Sequence, residues 1–108
     1  VFDVRSLPNP YYDKDLRPFT GRDEPVRAYL AQFRVVQQMV ADISSYLNRW
    51  LPEMAKQSNI RSVTVGIGCT GGHHRSVFVV EAVAERLREY PVWVRHRQLL
   101  KAEEPPPA

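Results

Sequence analysis

The chain has 108 residues, 44% apolar and 25% charged, which suits one globular domain with a modest core and leaves no room for a second. Fifteen basic residues against twelve acidic ones give a formal charge of +3 and an isoelectric point near 9.3, a mild excess compatible with an anionic ligand or nucleic acid. The single cysteine excludes an internal disulfide, no run reaches the ~18 apolar residues of a membrane span, and no leader pattern is visible, so the expected setting is cytoplasmic, with no membrane contact.

The chain opens on Val1 in a strand-like pattern, which suggests a domain upstream. "VFDVRSL" is rich in β-formers and predicts a first strand over about residues 1–7, halted by the turn residues "PNP". The run "YYDKDLRPFTGRDEP" loses alternation and is punctuated by Pro18, Gly21 and Pro25, which predicts a long loop of the kind usually kept for a site. Asp23 or Thr20 can cap a short helix over about 24–32 with Pro25 in its first turn. From Arg34 to Gln57 the residues Val36, Met39, Val40, Ile43, Leu47, Trp50, Leu51 and Met54 recur at steps of mostly three and four, the stripe of an amphipathic helix. Pro52 should kink or stop it near Trp50.

"SVTVGIG" then predicts a second strand, buried on both faces, and residues 76–90 return to helical spacing until Pro91. "VWVRH" predicts a third short strand. The order β, α, α, β, α, β implies an α/β fold, a small and largely parallel sheet with helical crossovers and a strand–glycine loop–helix anion site. The folded domain is expected over residues 1–101, with a disordered acidic, proline-rich tail at 102–108.

The segment "TVGIGCTGGHHRSVFVV" carries the chemistry. A strand entering a glycine loop and then a helix turns backbone N–H groups and the helix dipole toward an anion. Gly71 and Gly72 allow the tight turn and a close approach, Thr70 and Ser76 offer hydroxyls, and Arg75 offers a planar fork for phosphate oxygens. The spacing is neither a Walker A loop nor a dinucleotide fingerprint. Cys69 and Arg75 do stand at the C-x5-R-[ST] spacing of cysteine phosphatases, where a thiolate attacks phosphorus and the arginine steadies the transferring group. The histidine usual before that cysteine is Gly68 here, and candidate acids such as Asp13, Asp15 and Asp23 lie far upstream. The plainer alternative is a turn with a buried cysteine and surface histidines. No metal site is expected, because adjacent His73 and His74 point apart and Cys69 has no fourth companion at zinc-like spacing.

"DVRSLPNPYYD", "LRPFTGRDEPV", "TVGIGCTGGHHRSV" and "VRHRQL", four segments in order over residues 1–99, together resemble the C-terminal domain of the RapZ family of RNase adapters. The resemblance implies an RNA-binding adapter domain and no enzyme. Such a domain binds small regulatory RNA, senses glucosamine-6-phosphate, and serves a tetrameric homo-oligomer that presents RNA to ribonuclease E. No cofactor is implied beyond glucosamine-6-phosphate as regulatory ligand. Carried across by motif, the sugar-phosphate site would use Cys69, Thr70, Gly71, Gly72, His74, Arg75 and Ser76 from the loop. Asp3 and the "PNPYY" turn, with Asn9 and Tyr11, would face it, although Tyr11 stands where some relatives carry histidine. RNA would meet His73, Arg95, His96, Arg97 and Lys101. The terminus departs from the more basic ends of enteric relatives by adding Glu103 and Glu104, which puts RNA affinity in more doubt than sugar sensing. The competing readings are a cysteine phosphatase and a metabolite-sensing domain that binds a protein and no RNA.

Overall fold

The computed structural model describes residues 1–57, 59–70, 72–87 and 89–99. Gly71, Lys101 and the expected tail at 102–108 lie outside the described residues. Among the described residues three helices cover a two-stranded parallel sheet: β1 (Phe2–Asp3), a 3-10 turn (Pro10–Tyr12), α1 (Glu24–Ala31), α2 (Arg34–Ala55), β2 (Ile67–Gly68) and α3 (Arg75–Arg86). The strands pair in the register Phe2 with Ile67 and Asp3 with Gly68, and the Phe2 and Val4 amides donate to the Gly66 and Gly68 carbonyls at 2.7 and 2.9 Å. The crossover between them is the α1–α2 pair, as a parallel connection requires.

The helices form where the apolar spacing places them. Val26 and Leu30 of α1, Val36, Val40, Ile43 and Leu47 of α2, and Val79 and Val83 of α3 are all buried, each helix giving one stripe to a shared core. Val4, Leu7 and Leu16 close the core from the N-terminal side. The ring of Phe2 meets Tyr46 edge-on at 5.6 Å, which ties β1 to α2. Asp23 stands at the N-cap of α1 without a side-chain cap bond; its carboxylate instead accepts from the Thr20 amide at 2.8 Å.

Several expectations are corrected. β1 ends at Asp3 rather than near residue 7, because the Asp3 carboxylate accepts from the amide and Nε of Arg5 and the Leu7 amide turns back to the Val4 carbonyl. β2 pairs over two residues only, and Ser62, Val63 and Thr64 are exposed, so the strand is not buried on both faces. The helix expected to falter at Trp50 runs on to Ala55 through Pro52. A proline so near the C-terminal end forfeits one backbone bond, and Leu51 still packs against the core. α3 ends at Arg86, before the expected Tyr90. The third strand is not formed: residues 91–96 belong to no ladder, and Val92 and Trp93 are exposed. The side chain of His96 fastens this segment to Glu81 of α3 at 2.8 Å, away from a sheet edge.

The long loop before α1 is folded onto α3 at Gly21. Its amide donates to the His73 carbonyl at 2.8 Å, and a Cβ placed there would lie 2.3 Å from the His74 carbonyl oxygen and 2.5 Å from the Phe78 nitrogen. Both are backbone atoms at the start of a helix and cannot move aside cheaply. Gly21→Ala should therefore lower stability by about 1–3 kcal/mol, the usual cost of overpacking. Gly68→Ala, where a Cβ meets nothing within 4 Å, should stay within about 1 kcal/mol of the parent. Urea unfolding of the two variants checks the contrast.

Candidate functional site

β2 delivers the chain to Cys69, and α3 takes it up again at Arg75. Between them the loop turns at Gly72, whose φ of +68° is a left-handed conformation. A Cβ there would also come within 2.6 Å of the Cγ of exposed Gln98, whose side chain would have to shift. The loop closes on itself through sulfur: Cys69 Sγ accepts from the Ser76 amide at 3.3 Å, satisfying one of the unpaired donors of the first turn of α3. Cys69 is a free, half-buried thiol.

Arg75 is the least expected member. Its side chain is buried at 4% exposure, and Nη1 donates to the Arg5 carbonyl at 2.6 Å and the Leu7 carbonyl at 3.1 Å. One corner of the fork thus grips the chain leaving β1. On the other side of that chain, Asp3 sits in register with Gly68, one residue before the cysteine. Its exposed carboxylate pairs with Arg5 at 2.8 Å. The hydrogen bonds from Arg5 hold the Asp3 carboxyl below the ordinary aspartate range, and the charge of Arg75 adds a smaller pull in the same direction.

The remaining residues divide. Thr70 and His73 are exposed, and Ser76 is buried in the first turn of α3. His74 is buried at 7% exposure, with no hydrogen-bond partner for Nε2 among the described residues. Asn9 and Tyr11 make local contacts: Asn9 Oδ1 accepts from the Tyr11 amide at 3.1 Å, and the Arg17 guanidinium lies 4.4 Å above the Tyr11 ring. No contact described for that turn reaches the glycine loop. Arg95 and Arg97 are exposed, while the His96 ring is turned inward onto Glu81.

Asp3, Cys69, Arg75 and Ser76 are therefore brought together, and the C-terminal segment reaches the loop through Gln98. Arg5, Gly21, Glu81 and Gln98 are participants that sequence reasoning missed. Arg5 carries a faint signal, as a cation two residues from Asp3; Glu81 carries none, being one charge on a polar helix face. Grooves line both sides of α3, one beside Asn48, Pro52 and Tyr90 and the other beside Gly21, Ala28 and Phe78, and neither includes described residues of the glycine loop. Among the described residues no helix is long and apolar enough to cross a membrane, and no cluster of three His, Cys, Asp or Glu side chains is placed to hold a metal ion.

Comparison with known proteins gives this geometry its kinship. The family described as the RapZ C-terminal domain matches residues 1–100. The chain belongs to that family. Among similar curated proteins, a nucleotide-binding protein of Bordetella petrii is 59% identical over 104 residues, covering 95% of this chain and 36% of the relative. A nucleotide-binding protein of Bordetella avium is 55% identical with the same coverage. One from Neisseria meningitidis serogroup C is 57% identical over 99 residues, covering 91% of this chain and 34% of the relative. This RapZ-type domain thus spans about a third of the length of these relatives, and their printed names describe the longer proteins.

The Asp3–Arg5 pair makes a pH-dependent prediction for the domain. A carboxyl whose folded pKa is depressed stabilises the fold at pH values above its unfolded pKa, and that contribution fades as pH falls through the folded value. NMR titration of the Asp3 carboxyl carbon should give a midpoint below that of an unpaired aspartate such as one in a short peptide. Arg5→Ala should move the midpoint up toward the peptide value, and an unmoved midpoint would show that Arg5 is not the cause.

Proposed function

We propose that this RapZ-family domain is a binding module and not an enzyme. It holds glucosamine-6-phosphate at the Cys69–Ser76 loop and small regulatory RNA on its basic C-terminal segment. Within the longer protein it serves a cytoplasmic homo-oligomer, a tetramer, that presents the RNA to ribonuclease E. The observation that carries the sugar-phosphate reading is the register of Asp3 with Gly68, which sets an ionised carboxylate beside a glycine loop entering the N-terminus of α3. Loop amides, Thr70 and the positive end of the helix suit a phosphate, and Asp3 suits the ammonium or hydroxyls of the sugar. Arg75 adds positive charge from beneath while its Nη1 braces the strand exit.

The same facts weigh against phosphatase chemistry. A general acid must reach the leaving group with its proton, whereas the candidate acids are engaged locally in the long loop, Asp13 accepting from the Asp15 amide at 2.9 Å and Asp23 from the Thr20 amide at 2.8 Å. An arginine that steadies a transferring phosphoryl group presents its paired donors to that group, whereas Nη1 of Arg75 is engaged by two carbonyls. Exposed Arg95 and Arg97 supply the cations for RNA, exposed His73 a hydrogen-bonding ring, and His96 takes the part of an anchor.

Two measurements test these assignments. By calorimetry, glucosamine-6-phosphate should bind at least about tenfold more tightly than glucosamine, because charge-assisted phosphate bonds are worth roughly 1.5–3 kcal/mol each. Asp3→Asn should weaken the sugar phosphate by about tenfold, and neither protein should release phosphate from it. Equal affinity for the two sugars would remove the phosphate from the loop. In filter binding, replacing both Arg95 and Arg97 with alanine should weaken RNA binding for every sequence tried. It should also lower the slope of log affinity against log salt by roughly 0.7 for each lost phosphate contact. An unchanged slope would place RNA on another face.

A further inference from the structure

Residues 92–97 keep a strand's alternation without a sheet. Val94 is half-buried, and the His96 side chain, at 7% exposure, reaches Glu81 Oε1 at 2.8 Å. Between and beyond them, Trp93 is 61% exposed, and Arg95 and Arg97 are exposed as well. In an extended chain, residues two apart stand on one side about 6.6–6.8 Å from each other. The anchored residues therefore hold the segment down while the Trp93 indole and the Arg95 guanidinium face out side by side, and exposed Arg97 stands on the turn that follows, where the Leu99 amide donates to the His96 carbonyl at 3.1 Å.

Several other exposed rings already have company. Tyr11 lies under Arg17 at 4.4 Å, Trp50 under Arg49 at 5.3 Å, and Tyr46 against Phe2 at 5.6 Å. Trp93 has no such ring or cation contact among the described residues. A large uncovered π-face beside one arginine, with a second on the turn that follows, matches the way single-stranded nucleic acid is held, bases stacked on aromatic rings and phosphates met by arginine. Bases inside a duplex are already stacked on each other and offer such a ring nothing.

We infer that Trp93, Arg95 and Arg97 form a stacking strip for unpaired RNA bases, held outward by the His96–Glu81 contact; the inference rests on the RNA-binding reading and adds to it the class of RNA, single-stranded segments rather than duplex. Trp93 supplies the stacking surface, the arginines neutralise the flanking phosphates, and Glu81 is a positioning residue that acts through His96.

The test uses the full chain carrying Trp50→Phe, so that Trp93 is its only tryptophan, titrated with a single-stranded RNA of about twelve nucleotides and with the matching duplex. The single strand should quench the fluorescence of Trp93 and the duplex should not. Trp93→Ala, read by filter binding, should lose about tenfold in affinity for the single strand, the scale of one stacked base, while Trp93→Phe keeps most of it. Glu81→Ala should weaken the quenching, and Glu81→Gln, which can still bond to the His96 ring, should restore most of it. If Trp93→Ala binds the single strand as the parent does while the Arg95→Ala, Arg97→Ala variant loses affinity, RNA binding stands and the stacking strip falls. If Trp93→Ala leaves RNA binding unchanged and alters the sedimentation of the free protein, Trp93 belongs to a contact between copies and the proposal is overturned. If the parent binds neither RNA, the RNA-binding reading and the strip fail together.

Discussion

The Arg75 guanidinium determines how the two ends of the chain meet. A cation at 4% exposure is expensive to strip of water unless it is fully bonded. Here the chain leaving β1 takes up one corner of it, Nη1, with the carbonyls of Arg5 and Leu7. Charge-assisted bonds of this kind contribute about 1.5–3 kcal/mol each, and the exposed alternative, a surface ion pair, contributes far less. The strand exit and the first residue of α3 are thereby locked at one distance. Where Asp3 stands relative to the cysteine loop follows from that lock and from the two-residue parallel ladder beside it.

Around this lock, segments far apart in the chain converge on the start of α3. Gly21 brings the long N-terminal loop against the His73 and His74 carbonyls. Glu81, about two helical turns further on, accepts from His96 and lies 3.7 Å from the Arg22 Nε, so that loop and the C-terminal segment share one carboxylate. Gln98 covers Gly72 from the other side. The candidate site is thus an assembly of strand exit, loop, helix start and terminal segment, and its polar groups are held by backbone contacts more than by side chains alone.

The helices were legible because each repeats its apolar residues over several turns, so Val36, Val40, Ile43 and Leu47 could be assigned to the core before any contact was known. The strands were legible only in part. A strand is defined by its partner, and "VWVRH" has the composition of one but lies where His96 is claimed by α3. The glycine loop was readable as strand, turn and helix, and Gly72 does take the left-handed conformation that its position suggested. The partners of Arg75 were not readable, because a fork that fits a phosphate also fits two carbonyls, and the choice is made by residues some 70 positions away. A similar separation hid the pairing of Asp3 with Gly68, although the family resemblance sets Asp3 facing the loop.

That separation also governs when the site can exist. α1 and α2 are adjacent in the chain and can associate once residue 55 has emerged, whereas β1 has no partner until residue 68 and Arg75 has no acceptors but those already waiting near the N-terminus. Joining ends 70 residues apart costs on the order of 4 kcal/mol in chain entropy, a cost met only when the core of all three helices is in place. During synthesis, then, the first strand stays unpaired until residue 68 has emerged, and the loop is among the last parts of the domain to take shape.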